Sequence, residues 1–131
     1  MVEKYKYKEL TEKIINGFYT VYNELGYGFL ESVYEKAMII VLAEQGLNVK
    51  SQVEIDVFFR NQNVGIFRAD LVINDSIIVE LKAVKQIQDI HKAQILNYLK
   101  ATKYEIGLLL NFGKKPRVKR YIFDNQRKAL R

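Results

Sequence analysis

Apolar residues recur at helical spacing through the first third of the chain and at strand spacing after it. Leu10, Ile14, Phe18, Val21 and Leu25 fall three and four apart and form one stripe, which predicts a helix over Leu10–Leu25. Thr11-Glu12-Lys13 suits its start, and Gly26-Tyr27-Gly28 ends it. A second helix is predicted over Leu30–Gln45, closed by Gly46, with Leu30, Val33, Ala37, Ile40 and Val41 on a broad apolar face. From Val49 the period changes to two. Val53, Ile55 and Val57 alternate with Glu54 and Asp56 in a strand over Val49–Phe59. Strands over Val64–Ile73 and Ser76–Ala83 complete an antiparallel meander. A helix over Gln88–Thr102 follows, with Ile90, Ala93, Ile95, Leu96 and Leu99 apolar. Glu105–Phe112 is a strongly apolar strand, Gly113–Pro116 turns, and Val118–Phe123 is a candidate last strand. This order predicts an α/β sandwich, a mixed sheet flanked by helices.

Composition narrows the chemistry. A chain of 131 residues that is 49% hydrophobic is most simply one domain with a real core. It has no apolar run of about 18 residues, so no membrane span is expected. The N-terminus lacks an apolar signal core, and a cytoplasmic location is the expectation. The absence of cysteine excludes disulfides, thiolate zinc sites and cysteine nucleophiles. A single histidine argues against a histidine-rich metal site. Any metal would be held by oxygen ligands, which favours magnesium or manganese. The net charge of +6 is unevenly placed: Lys114–Arg131 holds eight basic residues and one acid. Such a segment, with Lys114, Lys115 and Arg117 at its start, suits a polyanion such as nucleic acid, or equally a solubilising tail.

The stretch Arg68–Lys82 carries charges that an ordinary core hairpin would not. Its two strands are apolar on both faces near the turn, yet Asp70, Glu80 and Lys82 interrupt their far ends. Charged groups in a buried strand need a partner, a hydrogen bond or a metal. Glu80 and Lys82, two apart, share a face. A two-residue loop at Asn74-Asp75 would put Asp70 and Glu80 on opposite faces. A three-residue loop, Asn74–Ser76, pairs Ile73 with Ile77 and sets Asp70 opposite Glu80. That odd register, or a bulge of the same effect, is predicted, with Arg68 on the same face. Two facing carboxylates repel unless a cation joins them. With a divalent ion and the Lys82 ammonium they are equipped for metal-assisted phosphodiester hydrolysis. A surface ion-pair cluster is the plainer alternative, as a helix-dipole partner is for Glu31. On the following helix Gln94 and Tyr98, four apart, share a face that suits a phosphate or a base, with His91 a helix-end residue.

In order, Glu31, Asp70, Glu80-x-Lys82 and Gln94-xxx-Tyr98 resemble the PD-(D/E)XK nuclease-like superfamily, and its RecB-like exonuclease branch. More closely, Gly28, Glu31 and Tyr34 within G-F-L-E-S-V-Y resemble the GxxExxY family. The resemblance spans about Leu10–Phe123. It implies a restriction-endonuclease-like αβββαβ core with a mixed central sheet. It also implies a magnesium-type site with Asp70 and Glu80 as ligands, Glu31 as a further direct or water-mediated ligand, and Lys82 as the catalytic lysine. Ala69 stands where the superfamily's name has a proline. The expected partner is nucleic acid, DNA before RNA, with Gln94, Tyr98, Tyr34, Arg68, Lys114, Lys115 and Arg117 as candidate substrate contacts. A non-catalytic binding module of the same fold is the alternative, and the apolar second helix suits a homodimer.

Overall fold

The computed structural model describes residues 7–128. Arg131, the last of the C-terminal basic residues, lies outside them. Helix α1 (Lys8–Leu25) buries Ile14, Phe18 and Val21 of the predicted stripe, with Thr11 beside them, while Leu10 is half-buried and Leu25 at its end is exposed. Helix α2 (Glu31–Glu44) is followed by strands β1 (Val49–Phe59), β2 (Gln62–Ile73) and β3 (Ile77–Lys82). Helix α3 (Asp89–Ala101) leads into β4 (Ile106–Phe112) and β5 (Pro116–Ile122). Strand β5 starts at the proline rather than at Val118. A proline is tolerated there because β5 is an edge strand and its first position need not donate to a ladder.

The strands lie in the order β1-β2-β3-β4-β5. Neighbours are antiparallel except β3 and β4, which run parallel because α3 carries the chain back over the sheet. On one face Ile14 and Phe18 of α1 and Tyr34, Met38 and Leu42 of α2 pack on Leu71, Ile77, Val79, Leu108 and Phe112. On the other face Leu99 of α3 packs with Val72 and Ile78. Every residue of β4 is buried, as expected for a strand covered on both faces. Truncating a core aromatic such as Phe18 removes contacts worth roughly 3–5 kcal/mol.

Helix α2 turns its second apolar column inward. Tyr34, Met38 and Leu42 are buried, whereas Leu30, Val33 and Ile40, expected on the packed face, are exposed. The helix is apolar on nearly all sides, so its pattern does not select a face. The column of larger side chains fills the space against α1 and the sheet. Among the described residues no helix is long and apolar enough to cross a membrane.

Strand β3 pairs with β2 only over Leu71–Ile73. Beyond Leu71, β2 and β1 continue as a two-stranded arm. It ends in a two-residue turn at Arg60-Asn61, both left-handed as a type I′ turn requires.

Candidate active site

The site lies where β2 and β3 separate. Their turn is the three-residue loop: Ile73 pairs with Ile77, Val72 with Ile78 and Leu71 with Val79. One step further Asp70 faces Glu80, and the ordinary ladder stops. The Asp70 N–H donates to Glu80 Oε2 at 3.0 Å, and the Leu81 N–H donates to Asp70 Oδ2 at 2.8 Å. The two carboxylates accept where carbonyl oxygens would, which leaves each with a second oxygen to offer.

A kink accompanies the odd register. Opposite Asp70 on the other side, Gln52 of β1 is left-handed (φ 51°), and the pairing of β1 with β2 passes from Ser51–Leu71 to Val53–Ala69 without it. Side-chain alternation shifts phase here. Leu71 and Ile73 pack under α1 and α2, but Ala69 packs with Val72 and Ile78 on the α3 side. A non-glycine residue at positive φ costs about 1–3 kcal/mol and persists only where its surroundings hold it. Here the Gln52 Nε2 donates to Glu35 Oε1 at 2.7 Å. The same amide is near enough to Asp70 to favour its ionised form.

Four acids therefore approach one end of the sheet. Glu31, in the first turn of α2, accepts the Ala83 N–H at 3.2 Å, just past the end of β3. Glu35 follows one helical turn later. Burial, and then the Asp70 carboxylate, push Glu80 up to about 8, against the pull of the Asp70 N–H and of Lys82. Asp70 is also raised, by burial first, and Glu31 adds to the rise while the Leu81 N–H and Lys82 oppose it. Burial raises Glu35 as well, with Asp70 contributing. Tyr98 reaches the cluster from the α3 side. Its ring stacks on Phe67 at 3.8 Å, and its hydroxyl is raised by burial and by the charges of Glu80 and Asp70.

Burial first, and mutual repulsion second, disfavour full ionisation of the pair. Hard oxygen donors beside a lysine suit a divalent cation, which would reverse both upward shifts. As the side chains stand, no three acidic or histidine groups among the described residues are close enough together to hold an ion. An ion held by the Asp70–Glu80 pair would complete its shell with water, or with Glu31 or Glu35 turned toward it.

Other expected residues have different neighbours. Tyr34 was expected to contact substrate, but it is fully buried. Its hydroxyl donates to the Gly26 carbonyl at 2.6 Å and accepts the Phe29 N–H at 3.2 Å, and its ring stacks on Phe112. Its work is to clamp the turn that presents Glu31. Arg68, expected beside Asp70, lies beyond the phase shift and pairs with Glu54 at 2.8 Å on the exposed arm. Gln94 is exposed one turn before Tyr98. His91 closes the start of α3 by accepting the Gln88 N–H. Lys114, Lys115 and Arg117 line a groove of about 430 Å³ with Lys85 and Lys119.

Sequence reasoning missed Glu35, Gln52 and Asn111. Glu35 was signalled by standing four residues after Glu31. Gln52 and Asn111 carried no local signal.

A family model of the PD-(D/E)XK nuclease superfamily matches residues 8–121, which includes every residue of the carboxylate cluster. The chain belongs to the PD-(D/E)XK nuclease superfamily. Its mixed five-stranded sheet with three helices is the restriction-endonuclease-like fold of that superfamily. The crystal structure of SSO0001 is similar in fold, with a TM-score of 0.54 and 22% identity, over 92% of this chain and 60% of that one. The chain thus spans about three-fifths of the length of that protein. No curated protein matches it.

Proposed function

We propose that this protein, acting as one nuclease-like domain of the GxxExxY type, hydrolyses phosphodiester bonds in nucleic acid, DNA before RNA. The observation that carries the reading is the facing of Asp70 and Glu80 across the split strands, with Lys82 and Glu31 beside them. Asp70 and Glu80 would hold magnesium or manganese, with Glu31 as a direct or water-mediated ligand. Such an ion, when bound, polarises a phosphate oxygen and acidifies a water. Lys82 follows Glu80 on the same strand and supplies a cation that orients the attacking water and offsets charge developing on the phosphate. Tyr98 and Gln94 contact the substrate from α3. Lys114, Lys115 and Arg117 neutralise the neighbouring phosphates. The setting is the cytoplasm.

The test is incubation of the protein with linear and circular, single- and double-stranded DNA, and with RNA, in magnesium or manganese. Cleavage is expected with the metal and is expected to vanish in Lys82→Ala. Cleavage that survives in Lys82→Ala or in excess chelator would sink the proposal.

The basic groove, which needs no metal to attract phosphates, supports a second reading, a non-catalytic nucleic-acid-binding module. In that case nucleic acid binds while calorimetry with manganese shows no uptake. A homodimer would cover the exposed Leu30, just before α2, and Val33 and Ile40 within it, and sedimentation of the wild type against Ile40→Glu tests it.

A further inference from the structure

Beside the carboxylate pair three loops meet: the turn between α1 and α2, the segment after β3, and the β4–β5 turn. They line an open cavity of about 360 Å³ whose walls include Tyr27, Phe29, Val84, Lys85, Phe112 and Lys114. Lys85 and Lys114 also line the basic groove, so the cavity opens into it. Ala83, another wall residue, donates its N–H to Glu31. The cavity, the groove and the acid cluster are thus contiguous.

Each loop is pinned by a side chain from elsewhere. Tyr34 holds the Gly26 carbonyl and the Phe29 N–H. The Tyr22 hydroxyl of α1 is 2.9 Å from the Gly113 carbonyl oxygen and 2.7 Å from that of Lys114. Asn111 of β4 accepts the Val84 N–H at 3.0 Å and donates to the Val84 carbonyl at 2.9 Å. The loops approach so closely that a Cβ on Gly113 would stand 2.5 Å from the Val84 carbonyl oxygen. On this rigid frame Tyr27 is 58% exposed and Phe29 47% exposed. Phe29 leans edge-on against Tyr34, but no such packing accounts for Tyr27, displayed on the pinned turn at a cavity that Lys85 and Lys114 also line.

An aromatic platform next to cations is the chemistry that holds an unpaired base and its flanking phosphates. In a duplex both faces of a base are already stacked. We infer that this cavity is a nucleobase subsite: one unpaired base lies against Tyr27 and Phe29 while Lys85 and Lys114 hold the phosphates on either side. This rests on the nucleic-acid reading of the carboxylate site and names its substrate class, strands that carry unpaired bases near the scissile bond.

Fluorescence anisotropy in chelator, where nothing is cleaved, tests it with a labelled oligothymidylate, the same strand with abasic positions, and a blunt duplex. Wild type is expected to prefer the single strand. Tyr27→Ala and Phe29→Ala should each weaken that binding about tenfold, with duplex binding unchanged. Tyr27→Phe should retain it. The abasic strand should bind wild type as weakly as the intact strand binds Tyr27→Ala. Because Phe29 touches Tyr34, the more exposed Tyr27 is the decisive position. Equal loss on duplex and single strand, or no loss in Tyr27→Ala, overturns the subsite. Metal- and Lys82-dependent cleavage alongside either result leaves the nuclease reading standing. Failure of wild type to bind any of the three overturns the subsite, and the nuclease reading falls with it only if metal-dependent cleavage is absent as well.

Discussion

Glu80→Gln should stabilise the metal-free protein while it abolishes metal-dependent cleavage. Glu80 titrates at about 8 in the folded protein against an ordinary value of 4.5. Between those two values the folded state binds a proton that the unfolded chain has released. Stability therefore falls as pH rises through this window, by about 1.4 kcal/mol per pH unit. The contribution is intact below about pH 4.5, is reduced by about 3 kcal/mol at pH 7, and by about 5 kcal/mol above pH 8. Asp70 is shifted in the same direction and adds to the trend. Glutamine keeps an oxygen to accept the Asp70 N–H and offers an amide to the Asp70 carboxylate, so the neutral variant escapes the loss. Urea denaturation of wild type and Glu80→Gln in chelator, from pH 5 to pH 9, measures the difference directly. The variant should match wild type near pH 5 and exceed it increasingly toward pH 8. Magnesium should recover stability in wild type and release protons as it binds, because it favours the ionised pair. A difference that stays flat with pH, or a variant less stable than wild type at pH 8, refutes the account of an uncompensated buried carboxylate.

Tyr34→Phe removes a hydroxyl with two backbone partners. It should cost about 1–3 kcal/mol in thermal denaturation and loosen the turn before Glu31, read as faster amide exchange at Phe29. Gln52→Gly relieves the left-handed backbone but deletes the amide on Glu35, so stability should stay within about 1 kcal/mol while manganese affinity by calorimetry falls. Unchanged affinity would mean that the kink does not position the acids. Replacing Lys114, Lys115 and Arg117 together by alanine should lower the slope of log affinity against log salt for DNA by about 2. An unchanged slope would take the groove out of the binding path.

The order and type of the elements were legible in the sequence because helices and strands bury one side at their own period. The register of the β2–β3 hairpin was legible too. Loop length has only two parities, and only the odd one brings Asp70 to Glu80. Asp70 and Glu80 could be singled out because charge in a buried strand needs a partner, whereas Glu31, on a helix, stood out only through its place in the ordered motif. Tertiary structure decided what depended on residues far apart along the chain. Tyr34 shares its motif with Glu31, yet its ring goes into the core against Phe112, 78 positions later. Helix α2 is apolar on almost all sides, so the space left by α1 and the sheet chose its buried column. Gln52 sits in an unremarkable strand pattern, and only the opening of the sheet at Asp70 explains its backbone. The pinned loops around Tyr27 and Lys114 are joined by Tyr22, Tyr34 and Asn111, long-range hydrogen bonds for which no local periodicity exists.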